Sequence, residues 1–175
     1  MTADNSSGPK GDFTYRRATR GDIEQLTALA VVSYGAYFKE LSPEEAGKLR
    51  AGVSDTSRFE NLVKLSDGFV CLSGSDIVGM AFLVPSGNAW EIFPAEWSYI
   101  RMVGVHPAWQ GKGIAKELTR LCIERARSRG ESIVALHTSE MMTAARHVYE
   151  GFGFKVIREI EPRFGKRYWL YTLEL

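Results

Sequence analysis

The residues best suited to chemistry form one continuous run, His106-Pro107-Ala108-Trp109-Gln110-Gly111-Lys112-Gly113-Ile114-Ala115. It follows an apolar, strand-like stretch from Tyr99 to Val105 and precedes a helical pattern from Lys116 to Arg129. A turn of small residues that opens a helix leaves main-chain N–H groups without partners, and the helix dipole adds roughly half a positive charge at the same place. Glycines at 111 and 113 let the backbone approach a ligand where a Cβ would obstruct it. The chemistry implied is the grip of a phosphate-bearing ligand by main chain at the end of a strand. Spacing excludes two common cradles. A P-loop requires a glycine five residues before its Gly-Lys pair and a Ser or Thr after it. His106 and Gly113 hold those positions here. A dinucleotide fingerprint requires a third glycine where Lys116 stands.

What remains is Gln-x-x-Gly-x-Ala (Gln110, Gly113, Ala115) directly after a Val-His-Pro turn. Downstream, Ser132 to His137 reads as a short buried strand and Met141 to Tyr149 as a helix ended by Gly151, with a strand pattern over Lys155 to Ile160. The helix and its exit carry Ala145-x-x-x-Tyr149 and then Gly153-Phe154. In this order the two groups resemble the paired signatures of the GNAT superfamily of N-acyltransferases, which bind acetyl-coenzyme A. The resemblance covers residues 13–175, most strongly Ser98 to Phe154.

The elements that must position these residues are legible as patterns. Phe13 to Arg17 alternates as a strand. Thr19-Arg-Gly-Asp22 reads as the capped entry to a helix with apolar positions at Ile23, Leu26, Leu29 and Ala30. Ser42-Pro43-Glu44-Glu45 starts a second helix, and Arg58 to Leu65 is a third helical stretch. Gly68 to Ser73 and Ile77 to Val84 form a hairpin, followed by a loop over 86–96 and a central strand from Trp97 to Val105. Two closing strands end at Arg167 to Leu173. The expected fold is α/β: a mixed, mostly antiparallel sheet flanked by helices, the GNAT fold, with Trp97–Val105 and Ser132–His137 adjacent and parallel through a right-handed crossover. Residues 1–12 read as a polar leader and 13–175 as a single N-acetyltransferase domain.

Composition is that of a soluble globular chain: 175 residues, 45% hydrophobic, 25% charged and a net charge of +1. No global field points to nucleic acid, and no apolar run approaches a membrane span. Residues 101–130 hold seven basic and two acidic side chains, of which Lys112 and Lys116 flank the cradle. Cys71 and Cys122 read as reduced core thiols, and with His106, His137 and His147 they show no metal-ligand spacing. No metal is expected, and the expected setting is cytoplasmic, with a homodimer as the default for a soluble enzyme.

The resemblance supplies the chemistry. It implies an N-acetyltransferase that moves an acetyl group from acetyl-coenzyme A, its cosubstrate, to a primary amine of a small molecule or peptide. Main-chain groups of Gln110, Gly111, Lys112, Gly113, Ile114 and Ala115 would hold the pyrophosphate, Met102, Val103 and Val105 the pantetheine arm by strand addition, and Ala145 and Tyr149 would also contact the coenzyme. Tyr149, a phenol protonated at neutral pH, would protonate the departing sulfur. The base departs from the family pattern, because Tyr99 stands where many relatives carry a Glu. Tyr99, Glu96 or Glu91 are candidates, or the amine arrives already deprotonated. Met142 replaces an Asn that often steadies the coenzyme. Tyr34, Tyr37, Phe38, Trp90, Phe93 and Trp97 are candidates for the acceptor pocket, with a cationic amine stacked on Trp90 or Trp97 as one possibility. The missing Glu keeps an alternative open, a catalytically weak acyl-CoA-binding sensor or interaction module.

Overall fold

The computed structural model describes residues 12–175, so the leader expected over 1–12 lies, apart from Asp12, outside the described residues. Seven strands form one sheet in the order β1-β2-β3-β4-β5-β7-β6: β1 (Phe13–Arg17), β2 (Asp67–Ser73), β3 (Asp76–Val84), β4 (Ser98–Val105), β5 (Ile133–Ser139), β6 (Lys155–Arg163) and β7 (Lys166–Glu174). All neighbours are antiparallel except β4 and β5. Between β1 and β2 lie three helices, α1 (Ile23–Tyr34), α2 (Pro43–Val53) and α3 (Thr56–Leu65). The crossover from β4 to β5 carries α4 (Ile114–Ser128), and α5 (Thr143–Gly151) joins β5 to β6.

Caps explain the helix starts. The Ser42 side chain accepts from Glu45 N–H at 3.2 Å with Pro43 at the first helical position. Asp55 accepts from Ser57 N–H at 3.0 Å, which begins α3 two residues before the sequence pattern places it. β3 is buried along its whole length after Asp76, because helices cover both faces of the sheet. On one face Leu26, Ala30 and Phe59 of α1 and α3 pack on Val70, Met80 and Phe82. On the other, Ile114, Leu118 and Cys122 of α4 pack on Cys71, Ala81 and Leu83. β7 enters between β5 and β6, with a register running from Ile133↔Glu174 to Ser139↔Tyr168.

The C-terminal half of α4 is tied to the sheet by Asp67. This buried carboxylate receives Arg125 at 3.0 Å and Arg129 at 3.1 Å, and also pairs with Arg17 of β1. Burial pushes its pKa up, but Arg125 and Arg17 outweigh that and hold the carboxyl below its ordinary value. The N-terminal half of α4 is seated by a glycine. A Cβ at Gly79 would stand 2.6 Å from the Ile114 side chain and 3.0 Å from that of Leu118. Only a bare backbone lets the first turn of α4 lie this close to β3. Gly79→Ala should therefore lower the melting temperature by about 3–10 °C, from an overpacking cost of about 1–3 kcal/mol. A melt unchanged from wild type would mean that α4 is not held at this distance.

Candidate active site

A cleft of about 560 Å³ opens between β4 and β5. The two strands pair only at Ser98↔Val134 and Tyr99↔Ala135 and separate beyond. From Ile100 onward, the edge of β4 that faces β5 has no strand partner. Part of the geometry comes from a bulge. The pairing of β4 with β3 slips between Phe82↔Arg101 and Met80↔Gly104, and Met102 adopts φ 54°, a left-handed conformation that costs a non-glycine residue of order 1 kcal/mol. The bulge puts Met102 on the same side as Arg101 and moves Val103 and Val105 to the face covered by α4 and α5.

One end of the cleft is built by the turn into α4. Pro107 to Trp109 make a single tight turn capped by His106, whose Nδ1 accepts from Ala108 N–H at 3.1 Å. Gly111 (φ 75°) and Gly113 (φ 80°) take left-handed conformations, and Gly113 is the N-cap of α4. The amide of Gln110 is spent on the Pro107 carbonyl at 3.4 Å. Among the described residues, the amides from Gly111 through Lys116 make no hydrogen bond outside the helix ladder, and the first ladder bond to close is Glu117 N–H to Gly113 at 3.0 Å. The run of available donors is therefore displaced by one residue from the expected span of 110–115. Lys116 lines the cleft; the exposed Lys112 does not.

The wall opposite β4 comes from β5 and α5. Met142, Ala145, Val148 and Tyr149 line it. Met142 precedes the first turn of α5, its sulfur 3.6 Å from the Thr138 hydroxyl. Tyr149 is buried and its ring packs edge-on against Phe154 at 6.0 Å. Burial, and then the neighbouring Tyr34 and Tyr37, push its phenol above the ordinary value, so it keeps its proton.

The other end is aromatic and cationic. Tyr34 and Tyr37 of the α1 region line it together with Trp90, Arg58, Arg101 and Arg163. The Arg101 guanidinium lies 3.8 Å from the centre of the Trp90 ring and that of Arg163 lies 5.8 Å away. Arg163 pairs with Glu91, the single carboxylate among the described lining residues. His137, on β5, sits among Trp90, Phe93 and Tyr168 with ring centres 5.8–6.1 Å away, and its buried Nδ1 has no hydrogen-bond partner among the described residues.

Several expected site residues lie elsewhere. Tyr99 faces the core: its ring stacks on Phe93 at 4.4 Å and its hydroxyl donates to the Asn88 carbonyl at 2.9 Å. Glu96 is exposed and does not line the cleft. Trp97 packs partly buried against the core, and neither Phe38, which stacks under Arg50, nor Phe93 reaches the cleft. A cationic amine on Trp90 would have to displace the arginine already stacked there. The reading from sequence missed Arg58, Arg101, Arg163 and His137. For Arg101 a signal existed, a lone charge inside the apolar run Ser98–Val105.

The fold and this layout, a strand pair splayed beside a run of free main-chain amides, suit a long ligand with an anionic end, and comparison with known proteins gives the class. Residues 34–154 match the Acetyltransferase (GNAT) family, and the chain belongs to that family. It is 42% identical over 55 residues to the mycothiol acetyltransferase of Streptosporangium roseum, covering 31% of this chain and 16% of that one. It is 30% identical over 89 residues to N-acetyltransferase family 8 member 2 of Rattus norvegicus, 50% of this chain and 38% of the relative. The matched stretches thus span well under half of these relatives. Among solved structures, the PaiA N-acetyltransferase of Thermoplasma acidophilum in complex with coenzyme A superposes with a TM-score of 0.76 at 16% identity, covering 94% of this chain and 99% of that one. The ribosomal-protein-S18-alanine N-acetyltransferase of Escherichia coli gives 0.70 at 14% identity, with 93% of each chain covered. At these identities the structural likeness concerns the fold. No helix among the described residues is long and apolar enough to cross a membrane.

Burial, then the charges of Arg163 and Arg101, depress the His137 pKa to about 3. The ring is therefore neutral in the folded protein, whereas in the unfolded chain it takes up a proton below about 6.5, so acid favours unfolding through this residue. Its ring resonances should show no titration between pH 8 and pH 5 in an NMR series. A midpoint near 6.5 would place the ring in water rather than in this wall.

Proposed function

We propose that this protein is an acetyl-coenzyme A-dependent N-acetyltransferase that moves the acetyl group to a primary amine by direct attack on the thioester. The observation that carries the reading is a single cleft with the unengaged amides of Gly111–Lys116 at one end, the Tyr149 phenol on its wall and the open edge of β4 running between. Those amides and the α4 dipole hold the diphosphate, with Lys116 adding charge. The pantetheine arm lies against β4 at Val103 and Val105 as an added strand, with Met102 and Ala145 in contact. An amide at the bulge polarises the thioester carbonyl, a donor typically worth about 3 kcal/mol.

In the chemical step the amine nitrogen attacks the carbonyl carbon, the C–S bond breaks, the sulfur takes a proton from Tyr149, and the proton lost by the amine goes to solvent, from which Tyr149 is recharged. No dedicated carboxylate base is required. Glu91 is held by Arg163, while Arg58 and Arg101 disfavour an ammonium ion in the same space. Like charges lower the pKa of the bound amine, so the neutral nucleophile is the form that is held. Tyr34, Tyr37 and Trp90 enclose the acceptor.

Tyr149→Phe should lower kcat about 10²–10³-fold, as free-thiol release reports, while acetyl-coenzyme A still binds by calorimetry. In the wild type kcat/KM should rise with pH as the free amine loses its proton, with kcat nearly flat and no fall in either up to about pH 10, because the phenol stays protonated. Unchanged thiol release in the phenylalanine variant would remove Tyr149 from the mechanism. Binding of the coenzyme without thiol release from any amine would favour a sensor.

A further inference from the structure

The acceptor end of the cleft has an unusual charge balance. Arg58, Arg101 and Arg163 line it against the single carboxylate of Glu91. Glu91 is engaged by Arg163. Arg58 and Arg101 make no ion pair with any described residue, and each is only partly exposed. Arg101 sits in the middle of β4, four positions before Val105, which is roughly 13 Å from the cradle end of the strand. It is therefore remote from the amides that face the diphosphate. Arg58 and Arg101 are near enough for the charge of one to disfavour that of the other.

Guanidinium groups are seldom left this way. Two cations held close together in a partly dry cleft repel each other and lose hydration. One is held over an indole, the Arg101 guanidinium carbon lying 3.8 Å from the centre of the Trp90 ring, and its N–H groups make no hydrogen bond with any described residue. A planar fork fixed by its face and open at its edge is the geometry that receives a carboxylate through two parallel hydrogen bonds. A polyamine, or any acceptor with a second positive charge, would meet repulsion instead.

We propose that Arg101 and Arg58 form an anion subsite that recognises a carboxylate on the acceptor, so that the substrate class is a small amine carrying a carboxylate close to the nitrogen, such as an amino acid. The inference rests on the acetyltransferase reading for which group reacts, but not for which group binds. Glu91 and Arg163 form the rim of this subsite, and the neutral His137 ring, with its unpartnered Nδ1, lies in its wall. The carboxylate accepts from both unpaired arginines and leaves one net positive charge in the subsite, while the amine of the same molecule extends along β4 toward the thioester.

The test compares L-amino acids with their carboxamides, with spermidine as the cationic arm, by two readouts. Binding is measured by calorimetry on the full chain saturated with coenzyme A, and KM and kcat by thiol release with acetyl-coenzyme A. We expect the acid to be preferred over its carboxamide by about tenfold to a hundredfold in binding and in KM, since a charge-assisted pair is replaced by a neutral contact. Arg101→Gln should close that gap, Arg101→Lys should keep part of it, and retained coenzyme binding shows that the variants fold. A preference for the carboxamide or for spermidine, no difference between acid and carboxamide, or a gap that survives Arg101→Gln would overturn the proposal. Selective binding of the acid without thiol release would leave the subsite standing and remove the transferase reading instead.

Discussion

The separation of β4 from β5 after two paired positions is the constraint on which the rest of this structure depends. Were the strands paired to their ends, the edge of β4 would be closed, the amides at the start of α4 would face β5, and there would be no cleft. Two features work with the splay. The bulge at Met102 re-aims the strand at the point where it leaves its neighbour, at the cost of a left-handed residue. The closeness of α4 to β3 over Gly79 fixes the cradle relative to the strand that feeds it. Asp67, with its three arginines, holds the far end of the same helix.

Charge then divides the cleft. At the α4 end the positive potential comes from main-chain amides and the helix dipole, and it suits a diphosphate without any side chain having to choose a rotamer. At the opposite end the potential comes from arginines stacked on an aromatic wall that runs from Tyr99 through Phe93 and Trp90 to His137 and Tyr168. A positive field of this kind favours an anion and disfavours an ammonium ion in the same space.

Much of this was legible in the sequence, for physical reasons that can be named. The cradle and α5 could be read because glycines, a Val-x-Pro turn and an Ala-x-x-x-Tyr helix are local signals whose spacing survives without knowledge of the fold. Helix starts were legible where a cap and Pro43 coincide; Asp55 was overlooked because Thr56 and Ser57 obscure where the helical period begins. The position of β7 between β5 and β6 could not be read, since strand order is set by long-range pairing. Nor could the facing of Met102 through Val105, because the one-residue bulge after Arg101 reverses the alternation from which facing is inferred. Tyr99 and Arg101 share a face ahead of that bulge; Tyr99 is a site candidate only through the family resemblance, and in the fold Phe93 covers its ring while Arg101 reaches the cleft. Trp97 and Glu96 are near the site in sequence only, because the loop folds back through reciprocal bonds between Trp90 and Phe93 and brings only its Trp90–Glu91 tip to the cleft.

The central claim is that the main-chain amides of Gly111 through Lys116 hold the coenzyme. Amide hydrogen exchange resolved to single residues, with and without saturating acetyl-coenzyme A, tests it most directly. Exchange at these six positions should slow by about tenfold or more, with slowing also along β4 at Val103–Val105 and none in the β6–β7 hairpin. Exchange at Gly111–Lys116 that is the same with and without bound coenzyme would contradict the account.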